Sequence, residues 1–250
     1  MGGHLKSRTR SRFALLFILA YILYITLPAV QYTFLSPLFP NLQEILYPRA
    51  SLLRLFAEHL LLVMLSGASA FVTGILLGIA VTRSWGREFL QPIQDLTALL
   101  QTFPPVAVLT LAVPAVGFGF TPAYLALYIY SILPIVRNTI TGLLSVSPTL
   151  KEAARGMGMT PLQVLMKAEL PQAFPAILAG TRISIIINIG TSTIGGVIGA
   201  GGLGVAIVAG LVRDNTSFVL QGAIAAAGLA FFADYLFESL EQRRRPVING

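Results

Sequence analysis

The feature that most constrains this chain is a series of uncharged stretches long enough to cross a bilayer. Phe13 to Val30 (18 residues), Leu60 to Thr82 (23), Leu96 to Val136 (41), Ile183 to Leu211 (29) and Thr216 to Ala233 (18) contain no Asp, Glu, Lys or Arg. A helix needs about 20 mostly apolar residues to span the hydrocarbon of a membrane. A chain of 250 residues with five such runs has little left for a soluble domain. Charged residues make up only 11% of it, where a soluble domain has about 25%. A disordered chain is excluded and an ordinary soluble enzyme is disfavoured.

The 41-residue run is too long for one helix, and Pro114, Gly117, Gly119 and Pro122 predict two spans with a turn between them. Ile183 to Leu211 reads as one helix with a glycine-rich end. The count is therefore six. The basic residues Lys6, Arg8, Arg10 and Arg12 before the first run also fit a signal peptide. The run is long for one and no small-x-small cleavage site follows, so a retained helix is expected.

The charges orient the spans. With both termini inside, 14 of the 17 Lys and Arg residues fall on the cytoplasmic side, and only Arg49, Arg54 and Arg213 fall outside. The positive-inside rule selects this arrangement over its reverse. The net charge of +7 then marks loops facing an anionic membrane surface rather than a nucleic-acid groove. The expected organisation is a basic N-terminus (1–12), one all-α membrane domain (13–240) and a basic tail (241–250). Gly74 with Gly78, and Gly195 with Gly199, have the small-xxx-small spacing that lets helices approach closely in lipid. Cysteine is absent, which removes disulfides, thiolate metal sites and cysteine nucleophiles. No other metal-binding or nucleophile–base constellation is present.

One cytoplasmic loop, 142–171, is too long for a linker. It reads as two short helices. Ser147 suits an N-cap, with Pro148 at the first helical position. Gly156 and Gly158 suit a left-handed end to the first helix. Thr160 and Gln163 form a capping box around Pro161. Leu162, Leu165 and Met166 make an apolar stripe, and Pro171 is expected to end the second helix. Such a unit suits either docking into a partner's groove or lying on the membrane surface.

Within this loop, Glu152-Ala153-Ala154, then Gly158, then Ala168-Glu169-Leu170-Pro171 resembles the signature loop of permease subunits in bacterial ATP-binding-cassette (ABC) importers, with Ala168 where the family has Ile. Glu58-His59-Leu60, Gln101-Thr102-Phe103-Pro104, Ile132 to Thr139, Asn188 to Thr191 and Ile198 to Gly204 resemble the osmoprotectant branch, which carries glycine betaine, carnitine, choline and proline. The resemblance implies the type I importer permease fold in a bacterial or archaeal cytoplasmic membrane. It also implies two ATPase subunits that bind ATP-Mg, a second permease copy or paralogue, and an external substrate-binding protein. Glu152, Ala153, Ala154, Gly158, Leu170 and Pro171 would couple the permease to the ATPase. The chain itself has no Gly-x-x-x-x-Gly-Lys-Ser/Thr phosphate loop, so no cofactor is expected on it.

Polar groups within spans tend to face a cavity or another helix. Gln101 and Thr102, beside the helix-breaking Pro104-Pro105, and Asn188, Thr191 and Ser192 are candidates for the translocation path. For Asn188 an interhelical hydrogen bond is the competing reading. Tyr124, Tyr128 and Tyr130 could offer aromatic faces to a quaternary ammonium, or serve as an interfacial belt. Gly199, Gly201, Gly202 and Gly204 are candidates for a gate, or for a packed turn. His59 is expected to be structural, and Arg182 to extend to the membrane surface. The alternative class is an ion-coupled carrier, for which the sequence shows neither an internal repeat nor a carboxylate in mid-span; Asp234 comes nearest.

Overall fold

The computed structural model describes residues 16–244; the basic cluster at 6–12 and the tail beyond 244 lie outside them. The described residues are helical and contain no strand. Four helices are long and apolar enough to cross a membrane, and two bent helix pairs bring the number to six if each counts as one span.

Both bends are proline breaks. Helix α1 (Leu16–Thr26) and α2 (Pro28–Leu35) meet at 102°. Pro28 has no N–H to donate and forces Leu27 into an extended conformation, φ −110° and ψ 109°, as residues before proline generally are. The run 13–30 is therefore not the single straight helix expected from its composition. Helix α4 (Leu90–Thr102) and α5 (Pro105–Val116) meet at 96° across Phe103 and Pro104. The Phe103 carbonyl freed by this break accepts a hydrogen bond from the Tyr130 hydroxyl. Pro114 lies inside α5, and the separation of the third and fourth spans falls instead at Gly117 and Gly119, with φ of 81° and 102°.

Three helices make the centre: α3 (Leu52–Thr82), α6 (Phe120–Leu144) and α9 (Leu170–Ser192). They approach through small residues. A Cβ on Gly74 would lie 2.8 Å from the Ile135 side chain and one on Gly78 2.6 Å from Thr139, so this pair seats α3 on α6. Gly180 seats α9 on α6, where a Cβ would lie 2.5 Å from Asn138. Gly195 and Gly199 do not act as such a pair: nothing stands within 4 Å of a Cβ on Gly199, while one on Gly195 would lie 3.7 Å from Ala123 of α6 and 3.9 Å from Leu62 of α3. Val136, Ile140, Leu143, Ala173 and Ile177 fill the core at one end.

Helix α10 (Gly204–Val212) turns back through Asp214 into α11 (Thr216–Arg244), which flanks α9 and α10. Asn215 caps α11, its Oδ1 accepting from the Phe218 amide at 3.2 Å, and its Nδ2 holds the Glu44 carbonyl at 2.8 Å. Gln221, buried in α11, accepts from the Tyr47 amide at 2.9 Å and donates to Gln31 at 2.7 Å. These bonds pin the extended segment around residues 44–47 onto the α10–α11 hairpin. Asp234 is not free: Arg182 of α9 binds it at 2.6 Å and Glu241 at 3.3 Å. Arg182 therefore joins α9 to α11.

Candidate functional site

The loop singled out by the sequence folds as a unit. Helix α7 (Pro148–Gly156) follows Ser147, which occupies the N-cap position without a side-chain capping bond. Its C-terminus closes on Gly158, φ 79°. The Gly158 amide donates to the Arg155 carbonyl at 2.9 Å and the Met159 amide to Ala154 at 3.2 Å. This pair of bonds is the Schellman arrangement, which calls for a left-handed residue at Gly158. The short helix α8 (Pro161–Val164) opens with the expected capping box: Thr160 Oγ1 accepts from the Gln163 amide at 3.3 Å, and Gln163 Oε1 from the Thr160 amide at 2.9 Å. Ala154, Val164 and Ala168 bury against one another, with Met159 beside them.

Pro171 does not end the second helix. Residues Pro161–Ile198 form one continuous 38-residue helix. A single π turn, Leu165–Glu169, joins α8 to α9. Proline removes the donor that would bond the carbonyl four residues back. The wider turn absorbs this, with the Leu170 amide reaching the Leu165 carbonyl instead. The loop is thereby a rigid extension of a spanning helix. Its first residue, Gly142, belongs to α6.

The unit offers an apolar outer surface: Met157 is 70% exposed, Leu162 68% and Met166 57%. Leu165, by contrast, turns inward against Leu143. Glu152 and Ala153 are exposed while Ala154 is buried. The residue that sequence reasoning passed over is Glu169. It is buried, at 3% exposure, and its Oε2 meets Arg83 Nη2 at 2.6 Å. Lys151 Nζ lies 3.9 Å from Oε1 and donates to the Leu143 carbonyl at 3.3 Å. The place of Glu169 in the loop signature was the signal available; nothing local announces that a carboxylate two residues after Lys167 is buried.

The candidate path residues separate. Asn188 and Ser192, at 2% and 1% exposure, lie in the seam between α3 and α9 and do not face an open surface. Asn188 Nδ2 donates to Ser66 Oγ at 2.9 Å. Ser192 Oγ stands 2.8 Å from His59 Nε2, which also faces the Ile189 carbonyl at 3.2 Å. His59 is fully buried, a structural residue of this seam. Gln101 and Thr102 are exposed, and the Thr102 hydroxyl returns to Leu99. Thr191 and Tyr128 are half-buried. Phe120, Tyr124 and Tyr128 stack along α6, with centroids 6.2 and 6.3 Å apart. The hydroxyls of Tyr124 and Tyr128 reach Ser69 and Thr73 of α3 at 2.9 and 3.1 Å.

The glycine run is a packed turn. Gly199, Gly201 and Gly202 have φ between 76° and 83°. The Gly202 amide donates to Glu58 Oε2 at 3.1 Å. A Cβ on Gly204 would overlap the Thr193 carbonyl, and one on Gly196 would overlap Gly204. Two strands of backbone cross here in contact, an approach that only glycine permits.

Comparison with known proteins agrees with this architecture. The chain belongs to the family of binding-protein-dependent transport system inner membrane components, whose model matches residues 70–246. It is a multi-pass inner membrane protein with the type I permease fold of ABC importers, and a transport subunit rather than an ATPase. It is 40% identical to the osmoprotectant import permease protein OsmY of Salmonella typhimurium over 198 residues, 79% of this chain and 84% of that one. It is 39% identical to the glycine betaine/carnitine/choline transport system permease protein OpuCD of Bacillus subtilis, over 77% of this chain and 83% of that one. The structure of the methionine ABC transporter MetNI in an inward-facing conformation aligns with TM-score 0.68 at 25% identity, covering 76% of this chain and 94% of that one.

Proposed function

We propose that this chain forms half of the translocation path of an ATP-driven importer for a quaternary amine or related osmoprotectant, such as glycine betaine, choline, carnitine or proline. The observation that carries the reading is the loop unit. It is a capped helix–glycine–helix element, apolar on its outer face and continuous with a spanning helix. The names of the relatives, which are 36–40% identical, supply the substrate class.

In this reading the loop faces the cytoplasm and both termini lie inside. Two ATPase subunits bind ATP-Mg and carry out hydrolysis. Glu152, Ala153, Ala154, Gly158, Leu170 and Pro171 form the coupling element, with Met157, Leu162 and Met166 seated in the ATPase groove. A second copy or a paralogue completes the path, and an external binding protein delivers substrate to the far face. Gln101, Thr102, Thr191 and Tyr128, which keep open surface, line the path. The turn at Gly199, Gly201, Gly202 and Gly204 closes its outer end. Substrate passes by rearrangement of the spans around it as the ATPase pair closes and opens. The setting is a bacterial or archaeal cytoplasmic membrane.

Uptake of labelled betaine, choline, carnitine and proline, compared in cells with and without the complete transporter, tests this. Uptake of at least one should depend on the complex; equal uptake of all four in both cells would remove the substrate assignment.

A further inference from the structure

Helix α3 is held at both of its ends by carboxylates. At 31 residues and 1.5 Å per residue it is a rod of about 46 Å. At its C-terminus, Arg83 is the capping residue, and the chain turns back at once: the Gly86 amide donates to the Arg83 carbonyl at 3.2 Å. The Arg83 guanidinium meets buried Glu169 at 2.6 Å. At the other end, Glu58 holds the Gly202 amide of the glycine turn at 3.1 Å.

Glu169 is an unusual choice for a merely structural position. A buried ion pair seldom stabilises a protein more than apolar packing of the same volume would. Its value lies in position. Glu169 is the last residue of the π turn, the one irregular point between the loop unit and α9, and such turns are frequent at functional sites. The same carboxylate faces Lys151 of α7 at 3.9 Å, and Lys151 holds the end of α6 through the Leu143 carbonyl. One buried group thus gathers α3, α6, α7 and the α8–α9 junction.

We propose that the Glu169–Arg83 pair is the joint through which the loop unit drives α3, so that displacement of the loop reaches the glycine turn at the far end through Glu58. Glu169 and Arg83 are positioning residues: they touch neither substrate nor nucleotide. The proposal rests on the importer reading, in that an ATPase must move the loop.

Cysteine is absent from the chain, so labels can be directed to chosen positions on it once the partner subunits are made cysteine-free. Spin labels are placed through Ser84→Cys and Arg155→Cys, both exposed positions, in the complete reconstituted transporter. Their separation is measured without nucleotide and after trapping with ATP and vanadate, and import per ATP hydrolysed is measured alongside. In the otherwise unaltered complex the separation should stay constant, because loop and α3 move together. In Glu169→Gln and Glu169→Arg it should change by several ångströms on trapping. Import per ATP should fall about tenfold in both, as expected when a coupling contact is removed. The double charge reversal Arg83→Glu with Glu169→Arg, made together with Lys151→Gln so that no cation faces the new side chain at 169, should restore both readings. A constant separation and unchanged import per ATP in Glu169→Gln would overturn the proposal. So would a double reversal that behaves like Glu169→Arg alone, including the case in which neither assembles. If the unaltered complex imports none of the amines, the substrate assignment fails, while the label separation still judges the joint.

Discussion

Gly158 and Gly204 are both glycine, for opposite reasons. Gly158 needs a left-handed backbone and has open space around it; Gly204 has a helical backbone and no space at all. Gly158→Ala should therefore lower the stability of the detergent-solubilised protein by only about 1–2 kcal/mol, the cost of placing an L-residue in that region. Gly204→Ala must push two backbone segments apart and should lower the thermal midpoint far more. A thermal scan of both variants checks the order, and equal midpoints would contradict it. The Gly158 turn and the Thr160–Gln163 box were legible in the sequence because their partners lie within a few residues. The Arg83–Glu169 pair and the His59–Ser192 and Ser66–Asn188 contacts were not. Their partners are 86, 133 and 122 residues apart, and nothing local announces them. Asn188→Ala removes the hydrogen bonds to Ser66 and Val63 of α3, and an interhelical bond in membrane proteins averages about 0.6 kcal/mol. It should cost little stability and leave substrate affinity unchanged, since Asn188 is sealed inside the chain. A changed affinity in an uptake titration would place it on the path instead.

At the scale of elements, proline has two outcomes in one chain. Pro28 and Pro104 end helices in bends of 102° and 96°; Pro171 is carried through by a π turn. Residue identity alone does not separate them. At Pro171 the flanking Glu169 and Ala173 are both buried against other helices. Pro171→Ala returns a donor toward the Lys167 carbonyl and lets the turn relax to α-helix, which rotates Glu169 away from Arg83. Thermal stability should hold or rise while import per ATP falls; unchanged import per ATP would contradict the role given to the π turn. Helix α9 also carries its own control for packing. Gly180 touches Asn138 of α6, whereas nothing stands within 4 Å of a Cβ on Gly190. Gly180→Val should cost about 1–3 kcal/mol through overpacking, and Gly190→Val close to none, in the same thermal assay.

For the whole molecule, the spans were legible because charge is expensive in hydrocarbon, which leaves long gaps in the pattern of charged residues. The bends and the extent of the loop unit were not, because they depend on which helices pack together. The structure also bears on how transport is powered. Ion-coupled carriers often hold a carboxylate within their spans that binds and releases the coupling ion. Asp234, the nearest to one, is engaged by Arg182 at 2.6 Å and lies in the half of α11 nearer the loop end. The loop unit, by contrast, has the form of a handle for an external motor. The most direct measurement is uptake of labelled glycine betaine, choline or carnitine into vesicles that hold the purified complex, with ATP supplied on the loop side. The account predicts uptake that requires ATP, stops when the ATPase subunits cannot hydrolyse it, and continues when proton and sodium gradients are collapsed. Uptake that follows an imposed ion gradient without ATP would contradict it.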